Sequence, residues 1–109
     1  MSSRKKSSQG KPSSNFKQLE NSADEAVQLL SALANPKRLL VLCNLLEAEL
    51  TVGQLAESVG LSSSALSQHL SKMRALGLVK PRRDGQTVIY RLASGNVREV
   101  LRTLYRLYC

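Results

Sequence analysis

The residue types that could do chemistry are few in this chain of 109 residues. The chain has one histidine, His69, and two cysteines, Cys43 and Cys109, which are far apart in sequence. It has no Cys-x-x-Cys pair, no zinc-protease motif, no dinucleotide motif and no phosphate-binding loop motif. No carboxylate stands beside His69 to orient it for catalysis. We therefore expect a protein that is not an enzyme and that needs no metal or cofactor.

A polar helix face is more informative. The apolar periodicity over residues 63–76 predicts a helix whose inner side carries Leu66, Leu70 and Met73. The opposite side is small, polar and free of carboxylates: Ser63, Ser64, Ser67, Gln68, Ser71 and Lys72. Hydroxyls and a glutamine amide can pair with base edges, and a lysine can neutralise a phosphate. This face favours DNA contact over an ordinary solvated surface.

The chain that follows predicts a β-hairpin. Asp84-Gly85 is a strong turn signal between the apolar-patterned residues 78–83 and 86–92. Arg82 and Arg83 stand beside this turn, where they could reach the DNA backbone or the minor groove. Arginines beside a hairpin are weak support alone, and they gain weight after a helix-turn-helix.

Charge points to the same kind of partner. The chain has 16 Lys+Arg and 8 Asp+Glu, a net charge of +8, and 12 of the basic residues lie from Phe16 onward. Such an excess favours a polyanion. Residues 1–15 combine basic side chains with serines and few apolar groups, which predicts a disordered basic arm. Residues 16–109 predict one domain of DNA binding and dimerisation.

Four predicted helices and the hairpin position these surfaces. One apolar stripe predicts a first helix over residues 16–33, and Asn35-Pro36 ends it and begins the second. Thr51 and Gln54 have capping-box spacing at the start of the third helix, which Gly60 can close. The fourth helix, described above, follows after Leu61 and Ser62, so the third and fourth predict a helix-turn-helix.

A last helix is predicted from Ser94 or Asn96 to the end of the chain. Its apolar stripe and that of the first helix lack partners within the chain, which predicts a homodimer. A dimer would place two recognition helices on a palindromic site.

Three sequence motifs in order, ANPKRL at residues 34–39, LSQHL at 66–70 and QTVIY at 86–90, resemble the ArsR/SmtB family of bacterial repressors. The resemblance spans about residues 17–109. It implies a homodimeric winged helix-turn-helix, mainly α with a small β-hairpin in the order α-α-α-α-β-β-α. It also implies a cytoplasmic, nucleoid-associated protein that binds a palindromic operator in double-stranded DNA and releases it when an inducer binds.

The resemblance maps DNA contact onto Ser63, Ser64, Ser67, Gln68 and His69, although His69 could equally pack locally. The face and the hairpin add Lys72, Arg82, Arg83 and Gln86, and the full DNA-binding set is the nine residues named in this paragraph.

Metal-responsive members of the family resemble this chain less. Where arsenic sensors carry cysteines, this chain has Thr51 and Gly53, and its last helix offers only Glu99 as a carboxylate. A closed metal site needs about four ligands, so metal sensing is not expected.

The contexts of Cys43 and Cys109, VLCNLL and LYC, resemble a subgroup of the family in which the matching cysteines form a disulfide or polysulfide link. The resemblance implies a redox-sensing pair whose inducer is a reactive sulfur species or an oxidant. The alternative is that Cys43 is an ordinary buried residue and Cys109 only a chain end.

Three other functions remain possible from the sequence. Some family members share the DNA-contacting motif and have no such cysteine pair, and some activate by displacing a silencing protein. A different class is an architectural protein that tolerates many DNA sequences. The apolar runs are too short for a transmembrane helix, so no membrane partner is expected.

Overall fold

The computed structural model describes residues 13–93 and 95–109. Residues 1–12 of the predicted arm lie outside the described residues. Within the described ranges the chain forms helices and strands in this order: α1 (Ser14–Asn21), α2 (Ala23–Leu33), α3 (Pro36–Glu47), β1 (Leu50–Thr51), α4 (Val52–Val59), α5 (Ser63–Ala75), β2 (Val79–Asp84), β3 (Thr87–Leu92) and α6 (Gly95–Tyr108).

The predicted first helix is two helices, and it begins earlier than expected. The Ser13 hydroxyl accepts from the Phe16 N–H at 3.0 Å, so α1 starts at Ser14, inside the predicted arm. Ser22 then interrupts the helix with φ −110° and ψ 11°. Serine and asparagine favour helix ends over interiors, and Asp24 just beyond suits the positive N-terminus of α2.

The residues Asn35-Pro36-Lys37-Arg38 begin α3 and hydrogen-bond to the ends of α2 and α4. Asn35 Oδ1 accepts from the Arg38 N–H at 3.0 Å and Pro36 occupies the first helical turn of α3, which confirms the predicted cap. Arg38 Nε donates to the Ala32 carbonyl at 2.9 Å, and Lys37 Nζ donates to the Val59 carbonyl at 2.7 Å. These carbonyls lie at the C-termini of α2 and α4, where helix geometry leaves acceptors unpaired.

The helix-turn-helix forms as its capping residues predict. Thr51 and Gln54 make both bonds of a capping box, at 3.1 and 2.9 Å. Gly60 closes α4 with φ +70°, and the Ser62 hydroxyl accepts from the Ala65 N–H at 3.2 Å to begin α5. The predicted inner side of α5 is buried at Leu66, Leu70 and Met73, and α5 ends one residue before the predicted Leu76.

The β region differs from the prediction in two ways. Residues 50–51, which were not predicted as a strand, pair with β3 and make a three-stranded antiparallel sheet of order β1-β3-β2. Asp84 pairs with Thr87, so the turn residues are Gly85 and Gln86 instead of Asp84 and Gly85. Gly85 has φ +66° and Gln86 does not have positive φ, as in a type II′ turn.

The core gathers side chains from α2 to α6 and from the sheet. The largest fully buried ones are Leu42, Leu55, Leu66, Leu70, Met73, Leu101, Val41, Val79 and Val97. Several large apolar side chains of α1, α2 and α6 remain exposed instead: Phe16, Leu19, Val27, Leu30, Leu107 and Tyr108. The helices expected to pair with a second copy therefore keep apolar surface uncovered.

Over residues 13–93 and 95–109, no single helix is long and apolar enough to cross a membrane. The pair Ala23–Leu33 and Pro36–Glu47 meets that requirement by length and composition only when taken together, and it is bent by 97°.

Candidate nucleic-acid interface and cysteine groove

The polar face of α5 is fully presented to solvent. Ser63, Ser64, Ser67, Gln68 and Lys72 are all exposed, whereas the side chains that face the core are buried. α5 contains no Asp or Glu. His69 is half-buried, at the edge between the exposed face and the core. The helix therefore offers a nearly uncharged polar strip with one lysine, whose size and chemistry suit the major groove of DNA.

The two hairpin arginines have different surroundings. Arg82 Nε donates to Glu49 Oε1 at 3.0 Å, and this ion pair is about half exposed, at 51% and 46%. Arg83 is exposed on the adjacent strand position, and Gln86 is exposed in the turn. The sequence predicted a common role for the two arginines, and the structure brings only Arg82 to a carboxylate.

A third arginine, which the sequence did not single out, lies near the hairpin. Arg74, in the last turn of α5, lines a cleft of about 370 Å³ together with Arg83 and Tyr90. A basic residue in a last helical turn is ordinarily explained by the helix dipole. The only sequence signal for Arg74 was its place two residues beyond Lys72.

The two cysteines, 66 positions apart in sequence, line one groove between α3 and α6. Its volume is about 460 Å³, and its lining is mostly apolar: Leu39, Leu40, Cys43, Asn44, Leu104, Tyr105, Tyr108 and Cys109. Cys43 is half-buried, Cys109 is exposed, and both thiols are free.

The Cys43 thiol is disfavoured as a thiolate in this groove. Burial raises its pKa above the ordinary value, and the nearby Cys109 and Glu47 raise it further because like charges repel. Tyr105 donates its hydroxyl to the Cys43 carbonyl at 3.3 Å. Burial also raises the pKa of Tyr105, with Glu47 adding to the effect. Tyr105 was not predicted, since nothing in the sequence marks a contact 62 residues away.

Asn44 connects the groove to the helix-turn-helix. It lines the groove beside Cys43, and its Nδ2 donates to the Leu40 carbonyl at 2.8 Å. Its Oδ1 accepts from the Ser58 hydroxyl on α4 at 2.9 Å. This hydrogen bond therefore links α3, at the groove, directly to α4, the first helix of the helix-turn-helix.

The Thr51 side chain serves as the cap of α4. Across the described ranges, 13–93 and 95–109, no group of three or more His, Cys, Asp and Glu side chains could hold a metal ion.

Known proteins are similar in sequence to this chain over most of its length. Residues 35–80 match the arsR family of bacterial regulatory proteins. The transcriptional activator HlyU of Vibrio cholerae is 48% identical over 95 residues, which are 87% of this chain and 88% of HlyU. The chain belongs to the ArsR/SmtB family of transcriptional regulators. The nodulation protein NolR of Rhizobium meliloti is 55% identical over 86 residues, 79% of this chain and 70% of NolR.

Solved structures agree with the fold of this ArsR-family chain. Reduced HlyU from Vibrio cholerae superposes with a TM-score of 0.81 at 48% identity, over 85% of this chain and 98% of that chain. The transcriptional repressor BigR from Xylella fastidiosa gives 0.80 at 34% identity, over 85% and 95%. A homodimeric winged helix-turn-helix DNA-binding domain, Mb0332 from Mycobacterium bovis, gives 0.72 at 28% identity, over 90% and 88%. The predicted winged helix-turn-helix is confirmed. The prediction of a transcriptional regulator, and not of an enzyme, is confirmed as well.

Proposed function

We propose that this ArsR-family chain is a homodimeric transcriptional repressor whose affinity for a palindromic operator is controlled by linking Cys43 to Cys109. The observation that carries the proposal is the shared groove, which brings two thiols from distant parts of the sequence onto α3 and the end of α6. The family membership supplies DNA binding, and the exposed polar face of α5 supplies the groups that would contact bases.

The linking chemistry uses the different surroundings of the two thiols. Cys109 is exposed, so it meets an organic disulfide or polysulfide first. Its thiolate attacks one sulfur of the reagent, forms a mixed disulfide and releases one thiolate. The Cys43 thiolate then attacks the Cys109 sulfur, closes the protein disulfide and displaces the second thiolate. Two protein thiols lose two protons and two electrons, and one sulfur–sulfur bond of the reagent is reduced.

The link would act on DNA through the helices that it ties. α3 contacts α4 through Asn44 and Ser58, and α6 carries the exposed apolar residues Leu107 and Tyr108. In a homodimer built on α1, α2 and α6, fixing the end of α6 to α3 changes the separation of the two α5 helices. Operator half-sites tolerate little change in that separation.

Contact with the operator is assigned to the predicted DNA-binding set. Ser63, Ser64, Ser67, Gln68 and Lys72 lie on the exposed face of α5, and His69 lies at its edge. Arg82, Arg83 and Gln86 lie on the hairpin, which serves as the wing. The side chains of α5 would contact base edges, and the wing would contact the backbone.

A second candidate is a regulator that activates by displacing another DNA-bound protein. It is favoured by HlyU, which is named a transcriptional activator and is 48% identical to this chain. The protein–DNA contacts are the same in both cases. A regulator without thiol control and a sequence-tolerant architectural protein are the remaining alternatives.

The test begins with a duplex selected by the reduced protein from a random-sequence pool. A specific dimer should enrich an inverted repeat and prefer it to bulk DNA by about a thousandfold or more. Binding is then measured before and after polysulfide treatment, with intact mass, for the wild type, Cys43→Ser and Cys109→Ser. We expect a Cys43–Cys109 link and DNA release in the wild type alone.

Each contrary result removes a defined part of the proposal. Release that persists in both serine variants would move the signal away from the cysteines. Retention of DNA by linked wild-type protein would leave a regulator without thiol control. Equal binding to the selected duplex and to bulk DNA would favour the architectural protein.

A further inference from the structure

The two wing arginines face opposite sides of the hairpin. Successive side chains of a strand alternate between the faces of its sheet. Arg82 pairs in register with Ile89, and Arg83 pairs with Val88. The two side chains therefore leave the strand in opposite directions, although the sequence presents them as one basic dipeptide.

The Arg83 side of the wing forms a cleft with the end of α5. The cleft encloses about 370 Å³ and is lined by Arg74, Pro81, Arg82, Arg83, Val88 and Tyr90. No carboxylate is among these lining residues. Within residues 13–93 and 95–109, neither Arg74 nor Arg83 has an ion-pair or side-chain hydrogen-bond partner. Two exposed guanidinium groups thus share a cleft with their donors unused.

Arg82 also lines this cleft, but its guanidinium already forms an ion pair. Its Nε is 3.0 Å from Glu49 Oε1, which precedes β1 on the far side of β3. A phosphate at Arg82 would have to displace Glu49 or sit beside a second negative charge. Arg82 therefore offers an anion less than Arg74 and Arg83 do.

We propose that Arg74 and Arg83 form a phosphate site that takes one phosphodiester of the DNA backbone, beside the bases that α5 contacts. The inference rests on the proposed DNA binding and adds to it a residue outside the predicted set, Arg74. It also ranks Arg82 below Arg83 as a contact to the DNA backbone, because Arg82 is paired with Glu49. Guanidinium groups suit this ligand because their donors match phosphate oxygens in geometry and charge.

Single alanine variants test the assignment against a matched control. Arg74→Ala and Arg83→Ala should each weaken binding to every duplex by about tenfold, and each should reduce the salt slope by about 1. Arg91→Ala removes the same charge from an exposed position of β3 that pairs with Lys80, and it should change affinity by no more than about threefold. Arg82→Ala should weaken binding less than Arg83→Ala does, because the Arg82 guanidinium is already paired with Glu49.

The ligand itself is tested by neutralising one phosphate at a time with methylphosphonate. One linkage in each half-site should cost the wild type about tenfold and cost Arg74→Ala clearly less, because only Arg83 then remains to contact that phosphate. The inference is overturned if Arg74→Ala matches Arg91→Ala, if Arg82→Ala is the most damaging variant, or if every linkage adds its cost independently. A wild type that binds no duplex would instead overturn the proposed function.

Discussion

Tyr105 of α6 donates its hydroxyl to the backbone carbonyl of Cys43 on α3, at 3.3 Å. This contact joins the last helix to the helix that carries the half-buried thiol, across the groove that also holds Cys109. It anchors the end of α6 where the proposed link would form.

Removing this hydroxyl should weaken the fold measurably. Tyr105→Phe keeps the ring and deletes the bond to Cys43, so the free energy of unfolding of the reduced protein should fall by about 0.5–1.5 kcal/mol. Urea unfolding followed by circular dichroism measures the change. Tyr108→Phe is the matched control, because Tyr108 is 81% exposed, and it should leave stability unchanged. Equal stability of Tyr105→Phe and the wild type would show that the bond contributes nothing.

The raised pKa of Cys43 gives stability a defined pH dependence. The unfolded chain loses the Cys43 proton at a lower pH than the folded chain, because burial, Cys109 and Glu47 raise the folded-state pKa. The unfolded state then binds fewer protons, so the free energy of unfolding falls as pH rises through the ordinary thiol pKa toward the folded value. Tyr105 acts in the same direction above its own ordinary pKa. The difference between reduced wild type and Cys43→Ser isolates the thiol, and a difference that grows in favour of the wild type with pH would contradict this reasoning.

Alkylation provides a second measure of the same pKa. At pH 8, iodoacetamide should label Cys43 more slowly in the folded protein than in urea, since less of the folded thiol is ionised. Cys109→Ser should keep most of this difference, because burial is the largest cause of the raised pKa of Cys43. Peptide mass spectrometry distinguishes the two sites in the wild type.

The features that the sequence predicted correctly depend on short stretches of chain. The buried side of α5 follows from the spacing of Leu66, Leu70 and Met73, and the start of α4 follows from Thr51 and Gln54 three residues apart. Periodicity and capping act within a few turns, so one stretch of sequence contains the whole signal.

The features that the sequence did not predict depend on partners far away in the chain or on two alternative turn positions of similar energy. β1 exists because Leu50 pairs with Tyr90, and Arg82 finds Glu49 33 residues away. The turn shifted by one residue because a turn on Asp84-Gly85 needs positive φ at both residues, whereas a turn on Gly85-Gln86 needs it only at the glycine. The closeness of Cys43 and Cys109 was expected only from the family resemblance.

The exposed apolar side chains of α1 and α2 predict how the dimer can be broken. Leu30 is 58% exposed in the single chain, so Leu30→Glu should leave the fold intact and convert the dimer to monomer by placing a charge in an apolar interface. Sedimentation at micromolar concentration measures the change. Gln86→Glu adds the same charge at the tip of the wing and should leave the dimer unchanged. A dimeric Leu30→Glu protein would place the interface elsewhere.

Gln68 and Lys72 should separate base contact from phosphate contact. Gln68→Ala should cost about 1–3 kcal/mol on the selected operator and little on bulk DNA, because a glutamine amide discriminates bases. Lys72→Ala should weaken both by a similar factor and reduce the salt slope by about 1. Titration of labelled duplexes at several salt concentrations measures both quantities. Equal losses of Gln68→Ala on operator and bulk DNA would remove Gln68 from base contact.

Ser58 should matter for the response to the cysteine link and not for DNA binding itself. Its hydroxyl donates to Asn44 Oδ1 at 2.9 Å, and Asn44 lines the groove beside Cys43. Ser58→Ala removes this contact between α3 and α4, so the reduced protein should bind its operator within about twofold of the wild type. The loss of affinity on linking should shrink by about 2- to 30-fold, the range expected when a coupling contact worth 0.5–2 kcal/mol is removed.

Thr103→Ala is the matched control for Ser58→Ala, because it deletes a hydroxyl bond of 3.0 Å that stays within α6 and ends on the Glu99 carbonyl. It should leave the response unchanged. Operator titrations of reduced and linked protein measure both variants, and intact mass verifies the link in each sample. If Ser58→Ala releases DNA as fully as the wild type on linking, the signal does not reach α5 through Ser58. The remaining physical connection between the cysteine link and α5 is then α6 and the dimer interface.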